Sequence, residues 1–183
     1  MNRDEAVAFV REKAEKETTV RHLISVEGVM RRLARHFGED EEAWGLTGLF
    51  HDLDQDQTHE DPERHAYQAA EWLREARVDD RIVNGVLAHA HEQYRTDRLS
   101  QAVVHADAVA GLLVAAALVR PEKANGMKVS SVKKKLKEKA FAPGVNRAEI
   151  TGAEEALGVP LEEFLSLGIE GLQSVAAEIE LAG

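Results

Sequence analysis

The residues best suited to chemistry lie at positions 48–56, where the sequence reads GLFHDLDQD. An apolar run ends there in the pair His51-Asp52 and is followed by further acidic residues. An imidazole beside a carboxylate can bind one divalent cation, and the aspartate keeps a second oxygen for another. We therefore interpret His51 and Asp52 as the centre of a metal site.

Further candidate ligands lie in other segments that have helical patterns. Because the sequence has no cysteine, thiolate ligands are excluded, and any metal must be bound by imidazole and carboxylate. Divalent metal ions that suit such ligands are Fe, Mn, Co, Ni, Zn and Mg. The residues that could complete the ligand set are His22, His65, His89 and Asp107.

His89 has a rival in His91. Side chains two positions apart on a helix differ in direction by about 200°, so at most one of the two can face a common site. His89 follows Val86 on an apolar stripe, whereas His91 stands beside Glu92. We favour His89 as the ligand.

The elements that would position these residues are helices. Apolar residues recur at helical spacing over residues 4–16, 18–37 and 41–53. Thr18 and Thr19 predict the cap of the second helix, and Gly38 predicts its end. The third helix would deliver His51 and Asp52 at its C-terminal end.

The middle of the chain continues this pattern. Residues 54–62 are polar and predict a loop, while an Asp-Pro pair at 61–62 predicts the start of the helix that carries His65. An Asp-Asp pair at 79–80 predicts the cap of the helix that carries His89. The helix at 99–119 is the most apolar, and Asp107 within it needs a partner, because burying an unpaired charge is costly.

Composition limits the remaining possibilities. With 183 residues, 44% of them hydrophobic and 31% charged, the chain suits a single soluble domain. The net charge of -10 argues against nucleic acid as a partner. The N-terminus leads into no signal-like segment, and the apolar run at 108–119 is too short to span a membrane, so we expect a cytoplasmic protein.

The region after Pro121 has a different character. Basic residues exceed acidic ones over residues 120–139, and two further helices are predicted at 147–157 and 161–181. The basic residues could bind a phosphate group of a substrate, or they could form a solvated helix face. The candidates for substrate binding are Arg120, Lys137 and Arg147.

The ordered set His, His-Asp, His, His, Asp resembles the HD superfamily of metal-dependent phosphohydrolases in its di-metal form. The resemblance covers residues 18–121 and implies an all-α HD-domain helical bundle, which residues 122–183 would extend with further helices. It implies that Asp52 bridges two metals and that Asp107, rather than His105, closes the set. One metal would be bound by His22, His51, Asp52 and Asp107, and the second by Asp52, His65 and His89.

The resemblance implies hydrolysis of a phosphate ester or anhydride in a nucleotide or another small phosphorylated metabolite, through a water molecule activated by the metals. The chain departs from the alarmone hydrolases at Gln55 and lacks the Gly-Tyr-Pro signature of the HD-GYP phosphodiesterases. Ligand spacing is similar to that of small HD proteins that hydrolyse symmetrical dinucleoside tetraphosphates and of HDIG proteins, although Asp54 replaces the glycine of that label. A mixed-valent di-iron oxygenase and a non-catalytic regulatory module are the alternatives, and the oligomeric state stays open.

Overall fold

The protein consists of helices joined by turns, and the computed structural model describes residues 1–183. The only β pairing is an isolated bridge between Lys123 and Ala182, so the all-α prediction is confirmed. A short 3-10 helix, Glu92–Tyr94, lies between the sixth and seventh α-helices. The α-helices in chain order are α1 (Arg3–Lys13), α2 (Glu17–Phe37), α3 (Glu41–Phe50), α4 (Gln55–Thr58), α5 (Tyr67–Glu75), α6 (Asp80–Ala90), α7 (Arg98–Leu118), α8 (Val129–Lys137), α9 (Arg147–Leu157) and α10 (Leu161–Val175).

Two helices of 21 residues, α2 and α7, form the centre of the bundle. Helices α3, α7 and α10 pack on α2, while α6 and α9 pack on α7. The buried apolar side chains form one cluster that runs from Ala6 to Leu181, so the C-terminal helices share the core of the preceding ones. By length and composition α7 could cross a membrane, but 67% of its most apolar 18-residue stretch is buried within this core.

Close helix crossings at glycine bring the site-bearing elements together. A Cβ atom added at Gly48 on α3 would lie 2.9 Å from the carbonyl oxygen of Val26 on α2. A Cβ atom at Gly28 on α2 would lie 2.5 Å from the carbonyl oxygen of Gly171 on α10. Real side chains essentially never approach backbone this closely, so these two contacts require glycine.

The N-terminus of α2 is capped from a distance, so the predicted threonine cap is wrong. Helix α2 begins at Glu17, and its N-cap residue, Lys16, makes no side-chain cap. The buried carboxylate of Asp56 instead accepts the backbone N–H groups of Glu15 and Lys16 at 2.8 and 3.0 Å. Thr19 donates its hydroxyl to the same carboxylate at 2.9 Å, which fixes α4 against the start of α2.

The segment before α5 also differs from the prediction. The expected loop contains α4, and the Asp-Pro pair at 61–62 lies in a run of turns that continues to α5 at Tyr67. Ala66 has a φ of 66°, a left-handed conformation that L-residues rarely adopt. Asp54 accepts the backbone N–H of Ala69 at 3.0 Å and so fixes where α5 begins. His65 therefore lies in a turn rather than on a helix.

The C-terminal region has three helices where two were predicted. Helix α9 has the predicted bounds, α8 lies in the basic stretch for which a solvated helix face was one of two alternatives, and α10 ends at Val175 instead of Leu181. Beyond α10 the chain turns back, and the Leu181 N–H donates to the Ala176 carbonyl at 2.7 Å. The Leu181 carbonyl then accepts from Ala124 at 3.1 Å, so Leu181 reaches the core without a continuous helix.

Candidate metal centre

Five elements bring all six predicted ligands into one cluster. Helices α2, α6 and α7 carry His22, His89 and Asp107, while the turn after α3 carries His51 and Asp52. The turn before α5 supplies His65. Two groups have potential ligand atoms within 4.8 Å of one another, namely His22 with His51 and Asp107, and His51 with Asp52 and His89.

Asp52 lies at the middle of the cluster and faces two sets of imidazoles. Its Oδ1 is 3.1 Å from Nε2 of His65 and 3.2 Å from Nε2 of His89. Its Oδ2 is 3.7 Å from Nε2 of His51 and 3.9 Å from Nε2 of His22. The carboxylate thus presents one oxygen to each of two histidine pairs.

Asp107 provides the second carboxylate. Its Oδ1 is 3.0 Å from Nε2 of His22 and 3.6 Å from Nε2 of His51. The pair His22 and His51 therefore lies between Asp107 and one oxygen of Asp52, whereas His65 and His89 face the other Asp52 oxygen.

His51 shows why the cluster suits a cation. The imidazole is fully buried, and its Nδ1 donates to the Gly48 carbonyl at 2.8 Å. In the neutral ring this bond leaves a lone pair on Nε2, directed towards Asp52 and Asp107. Nε2 of His51 and Oδ1 of Asp52 are both buried without a hydrogen-bond partner. A positive charge among these atoms would satisfy them, so the donor set fits a divalent metal.

In the absence of metal, protons bound to the histidines supply this positive charge. Burial favours the neutral form of His51, but the charges of Asp52 and Asp107 outweigh burial and raise the pKa of His51 to about 9. Burial also opposes the charge on His65, yet the carboxylates of Asp52 and Asp54, 3.1 and 3.0 Å from its ring nitrogens, raise its pKa to about 9. For His89 burial prevails and lowers the pKa to about 4.

The pKa values of the two carboxylates, Asp52 and Asp107, are both lowered. Burial works to raise their pKa values, but the neighbouring histidines hold the pKa of Asp52 and that of Asp107 well below the usual range. Both therefore remain anionic at neutral pH, the form in which carboxylates bind metal.

His65 is oriented by groups outside the ligand cluster. Its Nδ1 lies 3.0 Å from the Asp54 carboxylate and 3.0 Å from the Thr58 hydroxyl, while its Nε2 faces Asp52. A carboxylate behind a histidine fixes the ring and increases its basicity as a ligand. Asp54 was recognised in the sequence only as a replacement for glycine, because its contact with His65 depends on the turn before α5.

The two rival histidines point away from the cluster. His91 donates from Nε2 to the backbone carbonyl of His65 at 2.8 Å and stacks on Tyr67, so it supports the turn that holds His65. His105 donates from Nδ1 to the Glu149 carbonyl at 2.6 Å, on the α9 side of α7.

The three predicted phosphate-binding cations are not placed at the cluster. Arg120 donates to the carbonyls of Lys123 and Asn125. Arg147 donates to several carbonyls between Leu136 and Val145, which closes the segment between α8 and α9. Lys137 lines two cavities along α8, and neither contains a cluster residue.

A different cation, Arg95, lies beside the cluster. We call the cavity of about 370 Å³ that opens onto the cluster the central pocket, and Arg95 is its only lysine or arginine. Arg95 also donates to the carbonyl of Ala88, next to His89, at 3.0 Å. Its position after the 3-10 helix left no periodic signal in the sequence. The polar and charged residues that line the central pocket are His22, His89, Arg95, Asp107, Asn146 and Glu149.

Comparison with known proteins decides the family. A family model described as HD domain matches residues 19–112, more than half of the chain, and the match contains all six clustered residues. The chain belongs to the HD domain family. Searches of curated proteins and of solved structures gave no match.

Members of the HD domain family are metal-dependent hydrolases that typically bind divalent metals. The cluster in this HD domain agrees with that chemistry, because His and Asp side chains from separate helices and turns converge with their ligand atoms facing one another. The match to the family model ends at residue 112, within α7, so α8, α9 and α10 lie beyond the part that defines the family. Helix α9 nevertheless lines the central pocket through Glu149, and the turn before it does so through Asn146.

Proposed function

We propose that this HD domain protein is a phosphohydrolase that acts on a phosphate ester or anhydride of a small metabolite and uses two divalent metal ions. The observation that carries the proposal is the position of Asp52, whose two oxygens face different histidine pairs. A carboxylate placed in this way can serve two cations, and paired cations suit phosphoryl chemistry.

The residues would divide into two ligand sets with Asp52 in common. His22, His51 and Asp107 would hold one cation, and His65 and His89 the other. When bound, the cations would lower the pKa of a water molecule that attacks phosphorus and would neutralise charge on the phosphate oxygens. The Gly48 carbonyl holds the His51 ring, and Asp54 holds that of His65, so both imidazoles are oriented before any ligand arrives.

The central pocket would bind the phosphate group itself. Arg95 can supply a guanidinium, whose fork of N–H donors matches phosphate oxygens. Asn146, the N-cap residue of α9, lies on the pocket wall, and the positive end of the helix dipole there adds positive potential for an anion. These groups would add to the binding of the phosphate by the metals.

The proposal is tested with purified protein supplied in turn with Mn, Fe, Co, Ni, Zn or Mg. We expect release of phosphate from at least one compound in a panel of nucleotides and sugar phosphates. Asp52→Ala should abolish release, whereas Asp61→Ala, an exposed aspartate in the nearby run of turns, should leave it unchanged. No release with any metal, at confirmed occupancy, would overturn the proposal, and oxygen uptake by the iron-loaded protein would favour oxygenase chemistry instead.

A further inference from the structure

A second cavity of about 600 Å³ adjoins the central pocket, and the two share Arg95, Val104 and Glu149. We call this cavity the acidic cleft. It lies between α7, α9 and the 3-10 helix, away from the six clustered residues. Because three residues line both cavities, the acidic cleft is an immediate neighbour of the central pocket. The polar and charged residues of the acidic cleft are Glu92, Arg95, Gln101, His105, Glu149 and Glu155.

His105 places a largely buried imidazole at the acidic cleft, and one of its two ring nitrogens has no protein partner. Its side chain is only 9% exposed, and its Nδ1 donates to the Glu149 carbonyl. Nε2 makes no hydrogen bond within the protein, while the ring lines the cleft opposite Gly152. Since Nδ1 carries the hydrogen of the neutral ring, Nε2 is available to accept a hydrogen bond from a ligand.

The charges of the cleft select against further phosphate groups. Three glutamates line it, compared with a single arginine at the boundary with the central pocket. Carboxylates accept hydrogen bonds and repel anions, so these walls suit a group that donates hydrogen bonds and carries no negative charge. Such repulsion against a competing ligand is a common source of specificity.

We infer that the acidic cleft receives the leaving group of the substrate, a neutral or cationic moiety rich in hydroxyl or amine groups. The inference rests on the proposed function and names its substrate class, a phosphate monoester with one phosphate group rather than a polyphosphate. In the reaction, the water oxygen forms a bond to phosphorus while the bond from phosphorus to the ester oxygen breaks. The ester oxygen leaves as an alkoxide, takes up a proton given up by the attacking water, and departs from the central pocket into the cleft as the alcohol.

The test compares matched compounds that differ in phosphate charge, AMP against ATP and glucose 6-phosphate against glucose 1,6-bisphosphate. We expect kcat/KM to favour the monophosphate of at least one pair by about tenfold or more. In the double variant Glu92→Gln, Glu155→Gln, this preference should fall because the compound with more phosphate is used better. Glu154→Gln, an exposed neighbour outside the cleft, is the control and should keep the wild-type ratio. A wild-type preference for the more phosphorylated compounds, or a ratio unchanged in the double variant, would overturn the inference.

A cavity-filling variant tests the same assignment by size. A Cβ atom at Gly152 would lie 3.8 Å from Cε1 of His105, an ordinary contact, so Gly152→Leu can extend into the cleft without a backbone clash. It should lower kcat/KM for the monophosphate preferred by the wild type and spare acetyl phosphate, which is too small to need the cleft. Equal loss for both compounds would contradict a leaving-group role.

Ligand binding separates this inference from the proposed function. If no compound is hydrolysed, the proposed function fails, and the cleft is then tested by thermal protection of the metal-loaded protein. AMP should raise the melting temperature more than ATP in the wild type, and the double variant should reduce that difference. Equal, reversed or absent protection would overturn the cleft assignment.

Discussion

At the scale of single residues, two histidines of the cluster are positively charged when metal is absent. His51 and His65 have pKa values raised to about 9, so both carry a proton near neutral pH in the metal-free protein. A metal ion must displace those protons before it can bind to the same nitrogen atoms. The pH dependence of metal binding therefore reports directly on the electrostatics of the site.

We expect metal binding at pH 7.5 to release about two protons per chain. The release should disappear as pH rises past the raised pKa values of about 9. Calorimetric titration in two buffers that differ in ionisation enthalpy measures the number of protons released. Binding at pH 7.5 without proton release would show that His51 and His65 are not displaced by the metal.

Asp54 offers a second test at this scale, because it contacts one histidine of the cluster and no other. Asp54→Asn should weaken the ion beside His65 by about 10–100-fold and affect the ion beside Asp107 less. Metal titration measures both affinities. Asp56→Asn is the matched control, since that buried carboxylate holds the start of α2 and should affect stability rather than metal affinity. Equal loss of both affinities in Asp54→Asn would contradict a role confined to His65.

The residues of the cluster were easier to predict from the sequence than the residues around it. His51 and Asp52 are adjacent, and Asp107 stands out in an apolar helix, so each carries a local signal. Arg95 and Asp54 carry none, because the first follows a short 3-10 helix and the second acts through the turn before α5. Three basic residues at 120–147 were predicted to bind phosphate because basic residues are frequent there. Two of the three donate hydrogen bonds to backbone carbonyls instead.

At the scale of elements, helix crossings place the site residues, and glycine sets the distance between helices. A Cβ atom at Gly171 would lie 2.6 Å from Cα of Val29 on α2. We expect Gly171→Ala to lower the free energy of unfolding by about 1–3 kcal/mol, because the two helices must move apart. Urea denaturation measures the change.

The matched control for this crossing is Gly152→Ala, another helical glycine, where the added Cβ atom meets only an ordinary contact. It should leave stability unchanged or raise it slightly, because alanine favours the helix. Equal stability of Gly171→Ala and the wild type would show that the crossing between α2 and α10 tolerates a side chain.

Helices with a regular apolar stripe and a local cap were predictable from the sequence. Helix α6 begins after Asp79, whose carboxylate accepts the Arg81 N–H, and α9 ends at Gly158 in a left-handed conformation. The start of α2 and the start of α5 could not be predicted, because Asp56 and Asp54 fix them through contacts distant in sequence. The end of α10 likewise depends on the pairing of Leu181 with Ala124.

At the scale of the whole molecule, the cluster couples stability to pH. A histidine whose pKa is raised on folding stabilises the protein below its unfolded pKa and loses that effect as pH rises through the folded value. For His51 and His65 this stabilisation is lost between pH 6.5 and about pH 9. For His89 the pKa is lowered to about 4, so its contribution is lost as pH falls from 6.5.

The metal-free protein should therefore be most stable near pH 6.5, roughly the unfolded histidine pKa. Melting temperatures measured from pH 4 to pH 10, with chelator and with saturating metal, test this. Saturating metal should remove the loss of stability above pH 6.5, because cations replace the displaced protons. Metal-free protein that becomes more stable between pH 6.5 and pH 9 would contradict the raised pKa values.

The most direct test of the central claim, that Asp52 is shared by two cations, is the metal content of Asp52→Ala measured together with its circular dichroism. Wild-type protein purified without chelator should contain about two divalent ions per chain. Asp52→Ala should lose both ions yet keep its helical spectrum, because the apolar cluster from Ala6 to Leu181 folds without them. A folded Asp52→Ala protein that retains two ions per chain would contradict the shared role of Asp52 and the di-metal site built on it.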